Sequence, residues 1–174
     1  MSMMGHYARI SLKELNELKR CPDSIMDFLD ALEDDEHNER ILDIEKSWHG
    51  IHFLLLGTPW GSKFSRSQQP LWNAVMGGTP LGSVNLGYGP VRFLTPKQVK
   101  ETASALARNS ETELRKRFDP RKFNENKIYP PPTPNGTPET EKIFLDYLIK
   151  YYVEIVAFFQ AAARNGDALL LYVT

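Results

Sequence analysis

The sequence predicts an α/β protein: a single three-layer αβα domain over residues 1–174 with a central, largely parallel sheet. Three observations lead there. Ile51-His52-Phe53-Leu54-Leu55-Leu56 is a nearly unbroken apolar run, as expected of a strand covered on both faces. Ala168 to Val173 is a second buried-looking strand at the C-terminal end of the chain. Between the strand-like stretches lie segments with helical periodicity, and strands alternating with helices favour a parallel α/β arrangement.

The elements follow in order. Gly5 to Ile10 reads as a short strand. Ser11-x-x-Glu14 is a capping box that opens a helix carrying Leu12, Leu15 and Leu18. Pro22 interrupts it. A second helix places Ile25, Phe28, Leu29 and Leu32 at i, i+3, i+4, i+7 with acidic residues opposite, and Asp34 to Asn38 is polar enough to be a turn. Ile41, Ile44 and Trp48 suggest a third helix over residues 40–48, running into the Ile51–Leu56 strand, which Gly57 ends. A short helix is expected around Leu71 to Met76. The glycine-rich stretch from Gly77 to Pro90 reads as loop, and Val91 to Leu94 as a short strand.

Thr95-Pro96-Lys97-Gln98 is a strong helix start: an N-cap Thr, a Pro at the first helical position and a Gln at the third. Ser110-x-x-Glu113 opens a basic helix ending near Phe118. Tyr129 to Pro138 holds five prolines in ten residues, an extended connection of polyproline II character. The longest helix covers about residues 138–165, with Phe144, Leu148, Tyr151, Ile155, Phe158 and Ala162 as its stripe and Gly166 as its stop. That stripe, extended by Tyr147, Tyr152 and Phe159, is wide enough for an oligomer contact as well as a core.

Composition narrows the setting. The chain has 174 residues, 41% of them apolar and 25% charged, which fits a globular domain rather than a disordered one. A single cysteine, Cys21, makes no internal disulfide and implies no oxidising compartment. Residues 1–10 lack a signal-peptide pattern, and no apolar run approaches a membrane span, so the expected location is the cytoplasm. Residues 1–50 hold 12 acidic and 6 basic side chains; the remainder holds 10 acidic and 15 basic. The basic density peaks at Arg115-Lys116-Arg117, followed by Arg121, Lys122 and Lys127. A pI near 6.4 argues against a nucleic-acid partner.

Candidate chemistry concentrates in two places. Residues 43–52 carry Lys46, His49 and His52 beside Asp43 and Glu45. Two histidines three apart could begin a metal site. The expected helix-to-strand boundary would separate them, however, and they have no third histidine or cysteine pair nearby, so no metal and no cofactor is expected. An imidazole could instead serve as an acid–base group near neutral pH. The second place is Gly87 to Phe93. Pro90 and the strand that follows exclude a phosphate cradle, but Arg92 sits in a short apolar strand where an unpaired charge is costly. It must reach solvent, pair with a carboxylate such as Asp43 or Glu45, or bind an anionic group. Tyr88 stands beside it between two glycines. Lys46, His49, His52, Tyr88 and Arg92 therefore form the candidate ligand or partner site, near strand ends where α/β sheets gather ligands.

Three segments carry a resemblance. Leu42 to Gly57, Gly87-Tyr88-Gly89-Pro90-Val91-Arg92-Phe93-Leu94-Thr95-Pro96 and Ile128-Tyr129-Pro130 resemble the YfbM-like family of bacterial proteins, in order and nearly end to end. Gly57 to Pro70 departs from the family pattern. The resemblance implies the αβα fold and an intracellular setting, and it supplies no catalytic residues. Two functional classes stand open. One is a binding or interaction domain that regulates an unknown protein or small-molecule partner. The alternative is an enzyme acting on a small anionic substrate, with His49 or His52 as acid–base and Lys46 and Arg92 as anion clamps.

Overall fold

A computed structural model of the chain describes residues 2–34, 38–132 and 136–174. Among these residues, five strands form one sheet: β1 (Gly5–Ile10), β2 (Ile41–Asp43), β3 (Thr79–Asn85), β4 (Pro90–Leu94) and β5 (Ala168–Val173), in the spatial order β2-β1-β5-β4-β3. Every pairing is antiparallel. This overturns the expected three-layer αβα domain with a central, largely parallel sheet. The apolar run of β5 marks its central position and does not report strand direction. Leu169 and Leu171 point into one core, and Ala168, Leu170 and Tyr172 into the other.

The run Ile51–Leu56 is also not a strand. It belongs to helix α3 (Trp48–Leu56), and Ile51, Phe53 and Leu55 are not in the sheet with Leu169 and Leu171. An all-apolar run shows no period, so a buried helix and a buried strand look alike in sequence. Here Trp48-His49-Gly50 extend the run to nine residues, all buried except His49 and Leu56, and Gly57 ends it in the left-handed conformation at φ +72°. α3 is apolar on every side because it is enclosed by neighbours. One of them is α8 (Pro138–Asn165), whose Leu148 methyl group lies where a Cβ on Gly50 would come within 2.8 Å.

Two other expectations are corrected. Residues 40–48 form no α-helix of their own: β2 is followed by a 3-10 turn, Glu45–Ser47, and Trp48 already begins α3. Residues 77–90 are not all loop, since β3 lies within them as the edge strand. An edge tolerates Pro80 and Gly82, and the pairing with β4 shifts register between Pro80 and Asn85.

The local signals are present. Ser11 caps α1 (Leu12–Arg20) and Thr95 caps α5 (Pro96–Ala107), each with a complete capping box. Ser110 caps α6 (Glu111–Arg117) and Thr137 caps α8. The other helices are α2 (Ile25–Glu33), α4 (Gln69–Ala74) and α7 (Pro120–Glu125). α1 and α2 contribute to the core on one sheet face; α3, α5 and α8 fill the other, where Tyr7 of β1 donates its hydroxyl to the Ala74 carbonyl at 2.8 Å. Residues 35–37 of the expected turn and 133–135 of the expected proline-rich connection lie outside the described residues. Among the described residues, no helix is long and apolar enough to cross a membrane.

Candidate functional site

At the sheet end where β5 finishes and β4 begins, a pocket of about 320 Å³ opens on the α3 side. Its walls are Met3, Trp48, Trp60, Met76 and Tyr88, and among the described residues Arg92 is its one cationic side chain. Val173 of β5 contributes apolar surface, and Leu171 lies beneath, fully buried.

The aromatic walls are fixed through their polar edges. Trp48 donates its indole N–H to the Met3 carbonyl at 3.2 Å, and Trp60 donates its own to the Met76 carbonyl at 3.3 Å. The two rings meet edge to face, with centroids 6.3 Å apart and an interplanar angle of 85°. With both N–H groups satisfied, the indoles offer the pocket apolar surface without an unpaired donor. Met76 reaches this position with a positive φ of 53°. Gly5 leaves the space it needs, since a Cβ there would lie 3.0 Å from the Met76 methyl and 3.1 Å from Trp48 Cβ.

His49 lies behind this wall. Its ring stacks on Trp48 at 5.0 Å. Nε2 faces the Trp60 amide at 3.3 Å, and Nδ1 faces the Tyr129 amide at 3.2 Å. A neutral imidazole has one acceptor nitrogen and an imidazolium has none, so the ring can accept from one of the two amides only when it is uncharged. Burial drives the same way, lowering the His49 pKa to about 4.

Tyr88 stands on the turn joining β3 to β4. Asn85 Oδ1 accepts from the amides of both Gly87 and Gly89, and the two glycines take φ of +125° and +108°. The turn leaves Tyr88 41% exposed at the pocket mouth. Arg92 has a different partner from those the sequence suggested. It donates to the Gly77 carbonyl at 3.1 Å and the Gly78 carbonyl at 2.7 Å, with its guanidinium 5.6 Å from the Trp72 ring centre. Among the described residues it forms no ion pair with Asp43, Glu45 or any other carboxylate. Two carbonyls and an aromatic face hold the cation without cancelling its charge.

The structure thus brings Tyr88 and Arg92 to one pocket, with His49 behind its wall. It does not bring Lys46 or His52 there. Lys46 is exposed, and its backbone amide donates to the Tyr147 hydroxyl at 3.1 Å. His52 is 1% exposed, with Nδ1 lacking a partner among the described residues. Burial, with a smaller contribution from nearby His49, lowers its pKa to about 4. Both histidines lie on α3, so no helix-to-strand boundary separates them. Among the described residues, no three His, Cys, Asp or Glu side chains gather as a metal shell would need. The residues missed in sequence are Met3, Trp48, Trp60 and Met76. One signal was available: Trp60, an indole set between Pro59 and Gly61 in a polar stretch, is a large apolar side chain that no helix or strand would bury.

Comparison with known proteins defines the class. The family model described as "Domain of unknown function (DUF1877)" matches residues 1–172, so the chain belongs to that family. The chain is 33% identical to Protein YfbM of Escherichia coli strain K12 over 136 residues, covering 75% of this chain and 74% of the relative. The crystal structure of the Escherichia coli protein, titled as a protein of unknown function, superposes with a TM-score of 0.77 at 26% identity, over 98% of this chain and 99% of that one. The resemblance carried by the three sequence segments is therefore a true relationship.

Proposed function

We propose that this chain is a cytoplasmic binding domain whose site is the aromatic pocket, and that it takes an apolar or aromatic group carrying a negative charge. One observation carries the reading. Two indoles with tied N–H groups form a preformed apolar wall, and an uncancelled cation stands beside it. Small-ligand sites are mostly apolar, with a few fixed polar groups, and begin at about 300 Å³. A pocket of about 320 Å³ suits one aromatic-sized group. Preformed walls lower the ordering cost of binding.

The alternative, an enzyme using His49 or His52 as acid–base, draws less support. Neither imidazole lines the pocket, and both are held neutral by burial. The test is ligand-observed NMR with a panel of aromatic carboxylates, their amides and aliphatic carboxylates. The aromatic carboxylates should bind, the amides and the aliphatic acids more weakly, and Trp60→Ala should remove the signal. Equal binding of all three sets, or binding that survives Trp60→Ala, would refute the reading.

A further inference from the structure

A second concave surface, separate from the aromatic pocket, lies where the C-terminal end of α3 meets α6 and α7. This groove encloses about 1030 Å³, roughly three times the pocket. Its rim carries Lys116, Arg117, Arg121 and Lys122 against Asp119 and Glu141, four cations to two carboxylates. Its floor is apolar, with Leu56, Leu71 and Phe118 all partly exposed.

The charge is local and incompletely cancelled, although Lys116 meets Glu113 at 3.3 Å. On the neighbouring face of α6, Arg115 is matched twice, by Glu111 at 3.1 Å and Asp146 at 2.6 Å. In the groove, Arg117 is held, among the described residues, only by neutral oxygens, the Leu54 carbonyl at 3.3 Å and Asn109 Oδ1 at 3.0 Å. Lys122 joins no ion pair among the described residues. Arg121 meets Asp119 at 3.4 Å while remaining 86% exposed, a weak pairing. A net positive rim on a chain of net charge −1 is an exception to the molecule's own balance.

We propose that this groove docks a segment of a partner protein in which acidic residues flank leucine or phenylalanine. The acidic groups complement the rim, and the apolar side chains cover the floor. Complementary potentials of this kind chiefly set specificity and association rate. A nucleic-acid strand fits less well. It favours a basic domain and aromatic faces on which to stack bases, whereas this chain has a pI near 6.4 and a largely aliphatic groove floor.

The experiment selects displayed random peptides on the full chain and compares them with selection on an Arg121→Glu, Lys122→Glu variant. Both positions are exposed, so the fold should survive, as a thermal-unfolding midpoint would verify. Enriched peptides should combine Asp or Glu with Leu or Phe. Their affinity should fall about tenfold in the variant and weaken with added salt. Enrichment without acidic bias, equal binding to the charge-reversed variant, or stronger binding of a single-stranded DNA oligonucleotide that the peptides fail to displace would each overturn the proposal.

Discussion

Replacing Gly50 by alanine tests the packing of α3 against α8 through opposing effects. Inside a helix, Gly→Ala gains about 1 kcal/mol of propensity. At this position the new Cβ would lie 2.8 and 3.0 Å from the two methyls of Leu148, which is itself fully buried. Contacts that close force the core to shift, and overpacking costs about 1–3 kcal/mol. Because Leu148 has no exposed side toward which to move, the upper part of that range applies, leaving a net loss of about 1–2 kcal/mol. Leu148→Ala alone should cost about 2–5 kcal/mol through lost burial and a residual cavity. In that background the obstruction is gone, and Gly50→Ala should stabilise by about 1 kcal/mol. Urea unfolding of the two single variants and the double variant measures all three quantities. The effect of Gly50→Ala should change sign between the two backgrounds. Stabilisation of the wild-type chain, or the same loss in both backgrounds, would refute the close approach of the two helices.

Three further outcomes follow from single contacts. Tyr7→Phe removes the donor to the buried Ala74 carbonyl and should cost about 1–3 kcal/mol in urea unfolding. His49 and His52 have folded pKa values of about 4, below the ordinary 6.5, so the unfolded chain takes up protons first. Their stabilising contribution is whole above about pH 6.5 and is lost as pH falls toward 4, at up to about 1.4 kcal/mol per pH unit for a fully buried imidazole and less for partly exposed His49. Stability measured between those limits should flatten in His52→Leu, and an unchanged slope would contradict the assignment. Gly78→Ala combines a φ of +83° with a Cβ only 2.4 Å from the Phe93 carbonyl oxygen. It should destabilise by more than about 1 kcal/mol and also weaken ligand binding, because the Gly78 carbonyl anchors Arg92.

What could be read from the sequence was local chemistry. The capping residues Ser11, Thr95, Ser110 and Thr137 act on amides within three residues of themselves, and all four cap their helices. Gly166 ends α8 at φ +72° because the left-handed residue is a local requirement. Strand direction is a property of pairing across the chain, and the apolar residues of β5 suit either direction equally. α3 reads as a strand in sequence because a run with five apolar residues in six has no clear period, and only its neighbours decide that it is helical. The same divide runs through the site. Tyr88 and Arg92 were visible because each is awkward to place in a glycine-flanked strand region. Trp48 and Trp60 were not, because they lie 12 positions apart and their edge-to-face contact is set by tertiary packing, each indole being held by a distant carbonyl, Met3 or Met76.

The central claim, that the aromatic pocket is the binding site, is tested most directly by nitrogen-15 NMR of the indole groups. The chain has three tryptophans, so three indole N–H signals report separately on Trp48, Trp60 and Trp72. Titration with the tightest-binding aromatic carboxylate should move the Trp48 and Trp60 signals along one saturable curve. In Arg92→Lys the curve should persist at weaker affinity, since a single ammonium keeps the charge but loses the guanidinium fork. Saturable binding that leaves both of those signals in place would show that the site lies elsewhere.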